Sequence, residues 1–203
     1  MEGSIKMQKI FKNNYFSEYK IHSLTEAQQP IQKSLKHDAF GHIREITTVF
    51  MSHKHDDLEN IKGLIGFLES KYAVKAYIDS WDPTMPSTTC GATAKQLKNR
   101  IETCDKFIFM ATDGAIDSKW CNWELGYGDS QKFPDNIAIF HISDSKDTDY
   151  NGHEYFDLYP YIAYYNGSEQ YRDGRPIKKG YYRVVKKDNI NVITPLEQWL
   201  REK

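Results

Sequence analysis

Residues 97–128 read LKNRIETCDKFIFMATDGAIDSKWCNWELGYG. The first residues end a helical pattern in which Ala94, Leu97, Ile101 and Cys104 recur at heptad-like spacing. KFIFMAT (106–112) is a short apolar run that reads as a buried strand. Asp117 or Ser118 then suits a helix cap, and SKWCNWELGYG (118–128) sets one carboxylate, Glu124, among two tryptophans and ahead of two glycines. Helix, strand, polar turn and helix follow one another within 32 residues. That succession decides the fold class.

The flanks repeat it. TTVFMSH (47–53) reads as a buried strand, and DLENIKGLIGFLES (57–70) places Leu58, Ile61, Leu64, Ile65 and Leu68 on one helical face. Asp56 is a candidate N-cap, with Glu59 closing a capping box. AVKAYID (73–79) is a second strand, SWDPTMPSTTCG (80–91) a loop rich in Pro, Ser and Thr, and NIAIFHI (136–142) a fourth strand. Four alternations predict an α/β domain with a parallel sheet and helices on both faces. Ligands of such sheets sit beyond the carboxyl ends of the strands. Here those ends carry Ser52, His53, Lys54, His55 and Asp56; Asp79; Thr112 and Asp113; and Ser143 and Asp144.

Outside this core the pattern weakens. Residues 1–46 are polar and mixed, with a helix expected over Thr25–His37 that Pro30 would interrupt. They read as an N-terminal extension, with the core at 47–145 and a C-terminal segment at 146–203. Nine of the fourteen tyrosines fall between Tyr150 and Tyr182, where Asn166–Gly167 is a hairpin-turn signal. A hairpin covering the sheet edge is the reading adopted. TPLEQWLREK (194–203) offers Thr194 as N-cap, Pro195 at the first helical position and Glu197 for a capping box.

Composition limits the partners. Lys and Arg number 27 against 28 Asp and Glu, a formal net charge of −1, so no global positive field awaits nucleic acid or an anionic membrane. Three cysteines without paired spacing suit a reducing compartment. The N-terminus lacks the apolar run of a signal peptide, and no stretch reaches the roughly 18 apolar residues of a span. A cytoplasmic protein is expected.

If 118–130 is helical, Trp120 and Glu124 share a face. Aromatic neighbours desolvate a carboxylate and raise its pKa. Gly126 and Gly128 each weaken a helix, so they imply close backbone approach or an early helix end. The plain alternative is an amphipathic helix with Glu124 at its rim, exposed or paired with a lysine. Asp79 could bond a loop backbone, and Asp56 could serve only as a cap. His53 and His55 could clasp a metal, but no third ligand stands at motif spacing.

Over residues 47–145 the sequence resembles the TIR (Toll/interleukin-1 receptor) domain family. The resemblance lies in FMSHKHDD, in the strand ending YID, and above all in Ser118, Trp120, Cys121, Glu124 and Leu125. It implies a flavodoxin-like fold of five parallel strands, and cleavage of the nicotinamide–ribose bond of NAD⁺ by hydrolysis or cyclisation. NAD⁺ is then the substrate, and no further cofactor or metal is called for. The resemblance places the catalytic carboxylate on Glu124, with Trp120 walling the pocket and Cys121 beside it. Ser52, His53 and Lys54 align with a nucleotide-contacting loop where arginines are common, and Lys54 is a point charge rather than a bidentate fork. Asp79 matches a residue that binds a ribose hydroxyl. Trp81 and Asp82 begin a loop that gates the site and mediates self-association, although the usual Pro-Gly is absent from it. Stand-alone TIR enzymes of bacterial antiphage defence make a nucleotide that a separate effector senses.

Three rivals remain at this level: a non-catalytic TIR interaction module, a phosphoacceptor receiver domain built on Asp56–Asp57 and Asp113, and a nucleoside deoxyribosyltransferase. No G-x-G-x-x-G follows the first strand, and CGATAK (90–95) lacks P-loop spacing.

Overall fold

The computed structural model describes residues 7–20, 35–37, 43–82, 90–144, 154–188 and 190–202, with backbone alone at 35–37, 43–45 and Trp81. Three strands of unbroken burial form its centre: β4 (Thr48–Ser52), β6 (Lys106–Ala111) and β7 (Ile137–Ile142). A strand apolar on both faces needs cover on both. Along β6 the side chains alternate, with Phe107 and Phe109 joining one core and Ile108 and Met110 the other.

β5 (Lys75–Tyr77) and β8 (Tyr161–Tyr165) complete five parallel strands in the order β5-β4-β6-β7-β8, the flavodoxin-like order expected. β9 (Gly180–Lys187) and β10 (Ile190–Pro195) extend them antiparallel. β1 (Ile10–Phe11) pairs parallel with the end of β7, so part of the N-terminal extension belongs to the same sheet. β2 (Leu35–His37) and β3 (Ile43–Glu45) form a separate two-stranded ribbon.

α1 (Leu58–Tyr72) lays Ile61, Leu64, Ile65 and Leu68 on one face of the sheet. Phe11 and Phe16 join that core, and Phe16 passes so close to α1 that a Cβ on Gly63 would lie 2.8 Å from its carbonyl oxygen. Trp199 of α5 (Leu196–Arg201) docks in the same core. The opposite face takes α2 (Gly91–Thr103) through Leu97 and Ile101, and α4 (Lys119–Lys132) through Cys121 and Leu125. The short α3 (Asp113–Ile116) leads from β6 towards α4. No described helix is long and apolar enough to cross a membrane.

Four local expectations are corrected. A 3-10 turn at His55–Asp57 precedes α1, whose N-cap is Asp57 and not Asp56, with no side-chain cap bond. The Asp57 carboxylate instead accepts from Thr112, tying the loop after β4 to the end of β6. Thr194 lies within β10, and Pro195, the last residue of that strand, is itself the N-cap of α5 with no side-chain cap bond, while Glu197 pairs with Arg201 at 2.6 Å. Of the helix expected over 25–37, Leu35–His37 is strand, and residues 25–34 lie outside the described residues. Asn166–Gly167 does begin the link between two antiparallel strands, but that link runs from 166 to 179 rather than being a tight turn.

Candidate active site

Ser118 caps α4, its hydroxyl accepting from Cys121 N at 3.3 Å. The helix then runs through both glycines to Lys132. Gly128 is there for close approach, since a Cβ would lie 2.8 Å from the Phe107 ring on β6. Nothing lies within 4 Å of a Cβ at Gly126, so that glycine has no steric reason.

The approach at Gly128 seats α4 low on the sheet, and Glu124 reaches the carboxyl end of β4. There Ser52 Oγ donates to Glu124 Oε2 at 2.5 Å. The glutamate is 2% exposed. Burial, with the Asp79 carboxylate as a second cause, pushes it up to about 8, against the pull of hydrogen bonds from Ser52 and Trp120. Trp120 stacks on Trp123 at 4.9 Å between ring centroids, and Trp123 on Tyr127 at 6.2 Å. Lys98 of α2 lies over the latter two rings, at 5.9 and 5.0 Å.

The loop after β4 wraps the same point. His53 is buried, its Nε2 is 3.3 Å from Ser80 Oγ, and its Nδ1 is 4.0 Å from Asp79 Oδ1. Burial lowers its pKa more than Asp79 raises it, so the ring is neutral at pH 7. His55 Nδ1 meets the same Ser80 hydroxyl at 3.1 Å. Both histidines therefore address a serine, and no group of three metal-ligating side chains occurs among the described residues. Lys54 crosses over Gly114, where a Cβ would meet its Cδ at 2.8 Å, and its ammonium lies 3.4 Å from Asp56.

The structure thus brings Ser52, His53, Asp79, Trp120 and Glu124 into one cluster, with Lys54 at its margin. Two expected contact residues are already engaged. Asp82 accepts from Tyr77 Oη at 2.8 Å and from Arg100 Nη2 at 3.0 Å, which anchors the chain after β5. Cys121 is buried, donates to the His53 carbonyl at 3.4 Å, and is pushed up to about 11 by burial, so it supports the loop from beneath. Trp81 closes a 3-10 turn (Asp79–Trp81); its side chain, and residues 83–89 of the expected gating loop, lie outside the described residues. Asp113 accepts from Ser143 at 3.0 Å, and Asp144 is held by Asn13.

Sequence reading missed Ser80 and the bond between Thr112 and Asp57. Ser80 had a signal, since it follows Asp79 at the strand end. The Thr112–Asp57 bond had none, because it joins residues 55 apart.

A family profile described as "TIR domain" matches residues 49–170. A Bacillus cereus (strain MSX-D12) protein named "Probable 3' cyclic ADP-D-ribose synthase ThsB'" is 32% identical over 160 residues, 76% of this chain and 80% of that one. A Cytobacillus dafuensis protein provisionally named cyclic ADP-D-ribose synthase TIR2 is 28% identical over 112 residues, 53% of this chain and 28% of its own length.

Proposed function

The chain belongs to the TIR-domain family, and on that premise we propose that it cleaves the nicotinamide–ribose bond of NAD⁺ at Glu124, giving nicotinamide and a cyclised ADP-ribose nucleotide. The observation that carries the reading is a carboxylate 2% exposed, bonded by Ser52 at the carboxyl edge of a parallel sheet and lying beside Trp120.

Nicotinamide in NAD⁺ is already cationic. It leaves as a neutral molecule with the electron pair of the broken bond, so no general acid is required, unlike the paired acids of ordinary glycosidases. Positive charge grows at the anomeric carbon, and an ionised Glu124 in a water-poor site stabilises it. A carboxyl pushed up to about 8 is largely protonated at neutral pH in the free chain. The cationic ring favours its ionised form, so the proton departs as substrate binds. Ser52 holds one oxygen of Glu124 and fixes its orientation. In this reading Asp79 binds a ribose hydroxyl and Lys54 the diphosphate, and neutral His53 supports the loop that carries Lys54. Trp120 walls the ribose and excludes water.

Two captures of the cation are possible. Water gives ADP-ribose and a proton; a hydroxyl or ring nitrogen of the same nucleotide gives a cyclic product and a proton. Both relatives are named as cyclic synthases, which supports the second. Because Glu124 is so covered, the substrate reaches it only after a neighbouring side chain or loop moves. Self-association through TIR–TIR contacts is the proposed trigger, and a separate effector of antiphage defence is the proposed reader of the product.

Incubation of the concentrated chain with NAD⁺, followed by chromatography and mass spectrometry, tests this. Nicotinamide should appear with a nucleotide one water lighter than ADP-ribose, and Glu124→Gln should lower the rate by about 10³-fold or more. Equal release from both proteins overturns the role of Glu124. ADP-ribose alone overturns cyclisation.

A further inference from the structure

A second concavity lies at the other side of the domain, sharing no residue with the cluster around Glu124. The stretch Met7–Ile10, the connection between β8 and β9, and β10 enclose a groove of about 1020 Å³. Tyr165, Tyr171, Ile177 and Ile193 supply aromatic and aliphatic walls. The connection is built rather than loose. Ile177 N donates to Glu169 O at 2.9 Å, Tyr171 N to Arg175 O at 2.8 Å, and Gly174 N to Tyr171 O at 2.9 Å.

Into this lining comes Glu169. Both of its carboxylate oxygens are buried, and neither has a hydrogen-bond partner. A buried carboxylate without a donor is unfavourable, and its retention points to a partner that arrives from outside. At the rim, Arg172 is exposed and makes no ion pair or hydrogen bond among the described residues. Arg175 differs: it is held by Asp173 at 2.7 Å and lies over the Tyr171 ring at 5.3 Å. An unsatisfied acceptor inside and a free guanidinium outside call for a ligand with donors at one end and negative charge at the other.

We propose that this groove binds a guanine nucleotide. A carboxylate offers two acceptor oxygens side by side and bonds best to two adjacent donors. Guanine presents its ring N1–H and its exocyclic amino group next to each other. Adenine and cytosine place their amino group beside an acceptor nitrogen, which a carboxylate repels. The aromatic wall stacks on the base, and Arg172 takes the phosphate.

Calorimetric titration of the full chain with GMP, AMP and guanosine decides it. GMP should bind saturably at one site, with AMP at least about tenfold weaker. Glu169→Gln should weaken GMP by about tenfold or more, since one acceptor becomes a donor. Arg172→Ala should weaken GMP while leaving guanosine unchanged. Excess NAD⁺, and separately Glu124→Gln, should leave GMP binding intact, which distinguishes this groove from the Glu124 site. No heat with millimolar GMP, equal binding of AMP and GMP, GMP affinity indifferent to Glu169→Gln, or displacement by NAD⁺ would each overturn the proposal. So would binding of the aromatic cation tyramine, sensitive to Glu169→Gln, in a chain that ignores GMP.

Discussion

At the amino end of β6, Lys106 is 1% exposed; beside the carboxyl end of β4, Glu124 is 2% exposed. Burial drives both towards neutrality, Lys106 down to about 8 and Glu124 up to about 8. Their surroundings differ in kind. Lys106 donates to Asn136 Oδ1 at 2.6 Å and lies 5.2 Å from the centre of the Trp199 ring. Arg183 covers the same ring at 5.4 Å and donates to the carbonyls of Ile137 and Pro134. The Trp199 indole in turn donates to the Asp135 carbonyl at 2.6 Å. These groups close the bottom of the sheet and dock α5. Around Glu124 the neighbours stand at strand and loop ends, and one of them, Asp79, repels the ionised form. A shifted pKa and a like-charged neighbour are common to both ends, Arg183 beside Lys106 and Asp79 beside Glu124; a lining of strand and loop ends belongs to the second alone.

The largest test of this contrast is stability against pH in Glu124→Gln. The glutamate's folded pKa lies above its unfolded value of 4.5. Its favourable contribution is therefore complete below about pH 4.5 and is lost as pH rises through about 8. Glutamine has no such loss. Thermal melts should give similar midpoints at pH 5 and, by pH 9, a variant more stable by on the order of 2–4 kcal/mol. A gap that does not change with pH would show that Glu124 is not buried as a neutral acid.

Ser52→Ala probes the one hydroxyl that favours the ionised form. Nicotinamide release at neutral pH should fall by about 10- to 100-fold. The rising limb of the pH–rate profile should also move to higher pH, because the lost bond lowered the pKa of Glu124. A fall in rate with an unmoved limb would mean that Ser52 acts on the substrate instead.

The smallest effect is expected at the other end of the sheet. Lys106 has a folded pKa below its unfolded 10.5, so stability is lost as pH falls through about 8. Lys106→Met should be within about 1 kcal/mol of the parent at pH 7. It should fall behind at pH 10.5, where the folded lysine is neutral and the unfolded one is only half protonated. Denaturant titration at the two pH values reads this, and NAD⁺ turnover should stay within about twofold. Loss of turnover would break the proposed division between a structural end and a reactive one.

Much of this was legible in the chain. Runs such as FIFMA (107–111) announce strands buried on both faces, since charged or alternating residues would be needed if one face met water. Ile61, Leu64, Ile65 and Leu68 announce the face of α1, and Ser118 the start of α4. Glu124 stood out because a carboxylate four residues from a tryptophan is an unusual neighbour in a helix. The capping expectations at Asp56 and Thr194 failed for one reason. Asp57 found a better partner in Thr112, and the antiparallel pairing of β9 with β10 carried Thr194 into a strand. The first is a contact between residues 55 apart and the second a hairpin pairing of Thr194 with Arg183, and each outweighs a local preference worth about 1 kcal/mol.

The sequence alone determined four of the five parallel strands and the class of the core, and it singled out Glu124 as the candidate carboxylate, because periodicity and motif are properties of neighbouring residues. Only the tertiary structure decided that Ser52 is bonded to Glu124, that Asp82 and Cys121 are anchors, and that β1 of the N-terminal extension joins the sheet. It alone brought Glu169 into the groove without a donor. Each of these turns on which groups meet after the chain closes, and on what water they then exclude. Hydrogen bonds and desolvation act through space, and no local pattern of residues encodes them.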